Sequence, residues 1–257
     1  MKLYCETTGS GPDIVLLHGW GMNAAVWSGI CGVLAAHYRV TLIELPGHGA
    51  SEYKVGECSL EAWAEAVLDA APKKATWIGW SLGGAIAQWV ALNRPERLDK
   101  LVVVTGTPRF VATDGWHGMD RAVYDSFSAA LADDHNQALG QFLSLQVQGG
   151  SDAKKALRQL RQEINVRPEP NPAALKNGLE LLKTIDLRGA LGDMSCPSLW
   201  LFGQRDTLVS AKVADRVQEI LPSAEVCVIP RCAHAPFLSH REETLERLEH
   251  FIGSSHE

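Results

Sequence analysis

No stretch of this chain is apolar for the roughly 20 residues that a membrane-crossing helix needs, and its opening MKLYCETTGSGPD meets charged and turn residues before any apolar run, unlike a secretory leader. Basic residues are in deficit: 24 Lys and Arg against 30 Asp and Glu leave a net charge of -6. No global field therefore draws the molecule to nucleic acid or to an anionic membrane. Cys5, Cys31, Cys58, Cys196, Cys227 and Cys232 are scattered and form none of the close pairs of a zinc site or a redox motif. Repeats and low-complexity tracts are missing as well. A cytoplasmic, thiol-reduced protein with no metal is the expectation.

What is present suits a packed core. The chain is 46% hydrophobic and 21% charged, outside the disordered range, and 257 residues can hold one α/β domain with a sizeable insertion. Six short runs read as buried parallel strands: Ile14–Leu17, Val40–Ile43, Ala75–Ile78, Leu101–Val104, Ser198–Phe202 and Val226–Ile229. Helix-like segments separate them. Ser59 caps one, and Leu82–Asn93 forms another that stops before Pro95. That alternation predicts an α/β fold with a mostly parallel, doubly wound sheet. Between Pro108 and Asp186 strand signals vanish, and amphipathic helical patterns are divided by Gly149-Gly150 and by RPEPNP at 167–172. Residues 1–108 and 187–257 are expected to form the core, and 109–186 a helical cap inserted into it.

Gly79-Trp80-Ser81-Leu82-Gly83 has the G-x-S-x-G form of a nucleophile elbow, where a sharp strand-to-helix turn leaves no room for larger neighbours. The run ATWI before it and the apolar helix after it supply the setting that turn requires. A hydroxyl at neutral pH needs a base within hydrogen-bond reach and a carboxylate behind the base. His234 sits in the loop after the last predicted strand, whereas His240 begins the next helical stretch and His250 and His256 lie in the terminal helix or tail. Asp206 follows the penultimate strand; its rivals Asp186 and Asp193 precede it, at the wrong end. His18-Gly19-Trp20-Gly21 after IVLL resembles an oxyanion turn, so the amides of Trp20 and Leu82 are the expected donors to a developing alkoxide. His18 is expected to prop that loop, and His48, in the glycine turn PGHGAS, to lie on the surface.

With these residues in place the chain resembles the pimeloyl-[acyl-carrier protein] methyl ester carboxylesterase family of the α/β-hydrolase fold, through LLHGWGMNAAVW, IGWSLGG, PERL, FLSLQ, GLELLKTIDLR and AHAPFLSH. The resemblance implies a cytoplasmic monomer without a cofactor. Its substrate would be a methyl ester whose acyl chain is still attached to acyl carrier protein, cleaved by the triad Ser81, His234 and Asp206. It also implies a cap in which Phe142, Leu143, Ser144, Leu145 and Gln146 help to hold the acyl chain beside Trp20, Ser81, Leu82 and His234. Carrier proteins are acidic, so a basic face is needed; Lys154, Arg158 and Arg161 share one side of a cap helix, with Lys155 beside them. Fold and triad alone leave open a short-chain carboxylesterase, another hydrolase of small esters, or a receptor that only binds. A serine at the elbow disfavours a haloalkane dehalogenase, whose chemistry needs a carboxylate there.

Overall fold

The computed structural model describes residues 1–150 and 153–254; His256 lies outside them. Each apolar run forms a strand: β2 (Asp13–Leu17), β3 (Arg39–Ile43), β4 (Ala75–Trp80), β5 (Leu98–Val104), β6 (Ser198–Gly203) and β7 (Glu225–Ile229). A short β1 (Cys5–Thr8), which sequence patterning does not announce, pairs antiparallel with β3 at one edge. Three of its four residues are exposed, so it has no apolar face to read. The strand order is β1-β3-β2-β4-β5-β6-β7, parallel from β3 onward. Every residue of β4 and β6 is buried, as central strands covered on both faces must be.

From β2 the chain steps back through α1 (Ser28–Leu34) to β3, then forward through α2 (Leu60–Ala70) to β4 and through α3 (Leu82–Asn93) to β5. Right-handed crossovers put α1 on one face and α2 and α3 on the other, so the winding reverses between β2 and β4. In such sheets the carboxyl ends of the strands at the reversal open a crevice. The HGWG turn follows β2 and Ser81 follows β4, which puts both at that crevice.

Between β5 and β6 lie α4 (Arg121–Asp133), α5 (His135–Val147), α6 (Ala153–Ile164) and α7 (Pro172–Thr184). Asp120, Asp134 and Asn171 cap α4, α5 and α7 by accepting from first-turn amides, each cap being worth roughly 1 kcal/mol. The core resumes with α8 (Val213–Ile220), the short α9 (Pro236–Ser239) and α10 (Arg241–Gly253), which packs against α1. None of the six cysteines is in a disulfide. No helix among the described residues is long and apolar enough to cross a membrane.

The elbow depends on close backbone approach. A Cβ on Gly83 would lie 2.5 Å from the His18 carbonyl oxygen and 2.6 Å from that of Leu17, so only glycine lets α3 begin against the end of β2. Gly83→Ala should cost roughly 3 kcal/mol or prevent folding, because both obstructions are backbone. Urea unfolding checks this, and a cost below about 1 kcal/mol would mean that the approach is not rigid.

Candidate active site

Ser81 caps α3 with φ 54° and ψ -115°, a left-handed strained backbone in a non-glycine residue. Its amide donates to Val104 O at 3.0 Å, which ties the turn to the end of β5. The residue is 7% exposed, so it reaches the crevice while being largely shielded from bulk water. Leu82 is the first residue of α3, so its N–H has no acceptor within the helix and stays available. Across the crevice Met22 N donates to Gly19 O and Gly21 N to His48 Nε2, and the Trp20 amide has no partner among the described residues.

His234 Nδ1 lies 2.6 Å from Asp206 Oδ2, with both side chains buried. The other oxygen, Asp206 Oδ1, accepts from the amides of Leu208 (2.8 Å) and Val209 (3.0 Å), which fixes the carboxylate plane. The donor to the carboxylate is thus Nδ1–H, and Nε2 carries the free lone pair of a base. Nε2 is buried and meets no protein partner, so the bond to Ser81 is not made in this conformation; such contacts often tighten only around substrate. A Cβ on Gly203 would stand 2.1 Å from Ala233 O, so the loops holding Asp206 and His234 meet only because β6 ends in glycine.

The His234 main chain is held from three directions. Its carbonyl accepts from Trp80 Nε1 (2.8 Å) and Thr105 Oγ1 (2.7 Å), and its amide donates to Gln146 O of α5 at 3.0 Å. The helical insertion is therefore bonded directly to the histidine loop. A second tie runs from Trp20 Nε1 to Leu175 O of α7 (2.8 Å). The Trp20 ring stands edge-on to Phe142 and Phe127, at centroid distances of 4.8 and 5.5 Å.

The proposed acyl-contact residues divide. Phe142 packs on Trp20, Leu143 lines an outer groove, Leu145 is half-buried, and Gln146 is buried with its Oε1 unpartnered. Ser144 does not face the site: it is exposed, and its hydroxyl donates to Gly140 O of its own helix. On α5 the buried positions are 138, 142, 143, 146 and 147, and residue 144 falls on the opposite side. Lys154, Lys155, Arg158 and Arg161 are all exposed on α6, whose buried positions are Ala156 and Leu160. Arg161 borders the same groove as Leu143, a space of about 480 Å³ that also touches Gly21.

His48 is not on the surface but fully buried, the glycine turn folding it under the HGWG segment. His48 Nδ1 donates to Pro46 O and Nε2 accepts from Gly21 N, while His18 Nδ1 donates to Gly19 O and Nε2 accepts from Leu45 N. Both imidazoles are needed neutral, because each Nε2 is an acceptor. Burial pushes His18 down to about 3, with His48 beside it adding repulsion, and burial pushes His48 down to about 4. Glu44, also buried, accepts from Ala24 N and Ala50 N, and burial holds its carboxyl above the usual range. Sequence reasoning expected His18 to prop this loop, as it does, and missed the rest of the polar layer, because the turn PGHGAS reads the same whether it points outward or inward. It also missed Phe110, Leu182, Ile185 and Val209, which surround a small cavity at Ser81 and come from three places: the start of the insertion, its end, and the Asp206 loop.

Comparison with known proteins shows the fold and the family. The family model described as alpha/beta hydrolase fold matches residues 12–241. The chain is 44% identical over 255 residues to a pimeloyl-[acyl-carrier protein] methyl ester esterase of Aeromonas hydrophila, covering 98% of this chain and 100% of that one. It is 43% identical over 247 residues to the protein of that name from Photobacterium profundum, covering 96% and 97%. An esterase from Exiguobacterium antarcticum has the same fold, with a TM-score of 0.89 at 23% identity over 98% of this chain and 96% of that one. A bromoperoxidase from Bacillus anthracis superposes at 0.88 with 21% identity, covering 98% and 95%.

The buried histidines set a pH dependence of stability. Between pH 6.5 and about 4 the unfolded chain takes up protons that the folded histidines refuse, so stability is full above that window and falls on acidification within it. The slope is up to about 1.4 kcal/mol per pH unit for each histidine. Glu44, raised by burial, works in the opposite sense and offsets part of it. In urea unfolding at pH 7 and pH 5, His48→Gln should lose about 2 kcal/mol less than the unmodified protein between the two. Equal losses would show that His48 does not hold its neutral form.

Proposed function

Because the chain belongs to the pimeloyl-[acyl-carrier protein] methyl ester esterase family of the α/β hydrolases, we propose that Ser81, His234 and Asp206 carry out the ester cleavage for which the family is named. The protein is a serine carboxylesterase that hydrolyses the methyl ester of pimeloyl-acyl carrier protein in biotin synthesis, giving the free carboxylate and methanol. The observation that carries the residue assignment is the buried Asp206–His234 pair at 2.6 Å, with Nε2 unpartnered and the His234 carbonyl bonded to Trp80, the residue before the strained Ser81.

Ser81 Oγ attacks the ester carbonyl while His234 Nε2 takes its proton. The amides of Trp20 and Leu82 receive the negative charge that develops on the carbonyl oxygen, at no cost of reorganisation. Asp206 stabilises the imidazolium and keeps the ring turned. The imidazolium then gives its proton to the methoxy oxygen as the carbon–oxygen bond breaks, and methanol leaves. Water, activated by the same Nε2, releases the acyl group as a carboxylate and restores Ser81.

Residues 109–186 act as a cap over this chemistry, and the bonds Gln146 O to His234 N and Leu175 O to Trp20 Nε1 support that reading. Phe142 and Leu143 would meet the acyl chain, and the exposed Lys154, Lys155, Arg158 and Arg161 would receive the acidic carrier beside the groove.

Ser81→Ala should lower kcat on the methyl ester by roughly 10⁶, and Asp206→Asn by roughly 10⁴, in folded protein. Near-normal turnover of Ser81→Ala would sink the nucleophile assignment. Replacing Arg158 and Arg161 together by Glu should raise KM for the carrier-bound ester about 10-fold and flatten its salt dependence, with less than about a 2-fold change on a small free ester. No loss on either substrate would place carrier docking elsewhere, and equal losses on both would mean that the substitutions had damaged the cap itself.

A further inference from the structure

Two spaces of very different size border the elements of the crevice: one touches Ser81, the other touches the HGWG turn at Gly21. On the side of β2 the HGWG turn leads from Gly19 to Gly21 and so to the groove of about 480 Å³, bounded by Leu139, Leu143, Arg161 and Arg167. On the side of β5 and β6 a cavity of about 10 Å³ touches Ser81 itself, room for one water-sized body. Its walls include Gly106 and Thr107 after β5, Phe110 before α4, Leu182 and Ile185 at the end of α7, and Val209 in the Asp206 loop. Apart from the Thr107 hydroxyl, which donates to Arg109 O, these side chains are apolar, and all are buried.

We propose that this small cavity is the alcohol pocket of the esterase, and that Phe110, Leu182, Ile185 and Val209 restrict the reaction to esters of very small alcohols. The inference rests on the proposed function and specifies one side of its substrate.

Three observations carry it. The two sides of a carrier-bound methyl ester differ in what they must hold: the acyl side continues as a tether to a protein, while the alcohol side ends in one methyl group. A space of about 10 Å³ has room for the methyl end and none for a tether, which needs the length of a groove. Next, the leaving oxygen must receive its proton from His234 Nε2. Strand order puts His234 (after β7) and Asp206 (after β6) on the same side of β4 as Gly106 and Val209, opposite the HGWG turn. An alcohol leaving toward the histidine therefore leaves into the small cavity. Finally, the lining suits a methyl group: no charged side chain borders it. The second half-reaction fits the same space. Hydrolysis of the acyl-enzyme reverses the path of alcohol departure, with water in place of methanol, and the cavity has the size of that water once the alcohol has gone.

The walls come from the core (Gly106, Val209) and from both ends of the inserted segment (Phe110, Leu182, Ile185), so selectivity for the alcohol depends on the insertion being seated. Leu187 N donates to Pro108 O at 2.8 Å, and Arg109 pairs with Asp186 at 2.8 Å, which pins the two ends of the insertion together beside this cavity.

The test uses free esters, so it does not depend on carrier docking. Values of kcat/KM are measured for the methyl, ethyl and butyl esters of hexanoate, and for the methyl esters of butanoate and octanoate. The unmodified enzyme should prefer methyl to butyl hexanoate by at least about 10-fold, as a pocket that rejects added methylenes does. Leu182→Ala, which opens the cap-side wall, should reduce that preference to about 3-fold or less. It should move the octanoate-to-butanoate ratio by less than about 2-fold. Val209→Ala opens the opposite wall and should act in the same direction, which keeps the test alive should Leu182→Ala fold poorly. Because both measures are ratios within one protein, a general loss of active enzyme cancels. If the openings shift the acyl-length ratio instead, the cavity holds the acyl chain and the proposal is overturned; unchanged methyl-to-butyl ratios in both variants overturn it too. Failure to turn over carrier-bound methyl ester would count against the substrate reading, while the alcohol ratios would still decide the pocket.

Discussion

The main chain of His234 is the point on which the site depends. One residue joins the nucleophile strand through Trp80 Nε1, the end of β5 through Thr105 Oγ1, the inserted helices through Gln146 O and the acidic loop through Asp206 Oδ2. Each of these buried bonds is worth only about 1 kcal/mol net, and their joint effect is positional. A general base is useful only when its lone pair is aimed within a few tenths of an ångström, and a loop after a strand end has no such precision by itself. Four elements distant in sequence hold this one residue, three through its main chain and one through its ring.

A parallel arrangement supports the other side of the crevice. The Trp20 amide of the HGWG turn has no partner among the described residues, as the proposed oxyanion role requires, so the turn cannot stabilise itself through that group, and the surrounding bonds supply what it lacks. His18 and His48 receive the amides of Leu45 and Gly21, Glu44 receives those of Ala24 and Ala50, and Arg167 approaches Glu44 from the chain leading into α7. A buried carboxylate and two buried imidazoles are costly to desolvate. They persist because each backbone donor in that loop would otherwise be buried unpaired. Trp20 links this layer to the inserted helices: its amide belongs to the HGWG turn, its indole N–H bonds to Leu175 O of α7, and its ring packs on Phe142 of α5. The insertion thus touches both sides of the crevice, the HGWG turn through α7 and the His234 loop through α5. On the proposed mechanism, its seating and the competence of the site are one condition.

Much of this was legible in the sequence, for definite reasons. Buried parallel strands are continuous apolar runs, so six of the seven strands could be read directly, and β1 escaped because an exposed edge strand of four residues has no such run. The elbow was legible because close backbone approach admits only glycine at Gly83, and the order Ser81, Asp206, His234 because each follows a strand that could be counted. Relatives at 43–44% identity bear out the family that those motifs indicated. What only the tertiary structure decided is where side chains point when the local pattern is neutral. His48 lies in a turn equally suited to the surface or the interior, and Ser144 sits between apolar neighbours yet faces outward because a helix turns 100° per residue. The cavity beside Ser81 has no sequence signature at all, since Gly106, Phe110, Leu182 and Val209 meet only when the two ends of an inserted segment close over two strand ends. Periodicity and backbone strain are written locally and survive in one dimension; the volume left between elements is set by how they pack, and no single segment records it.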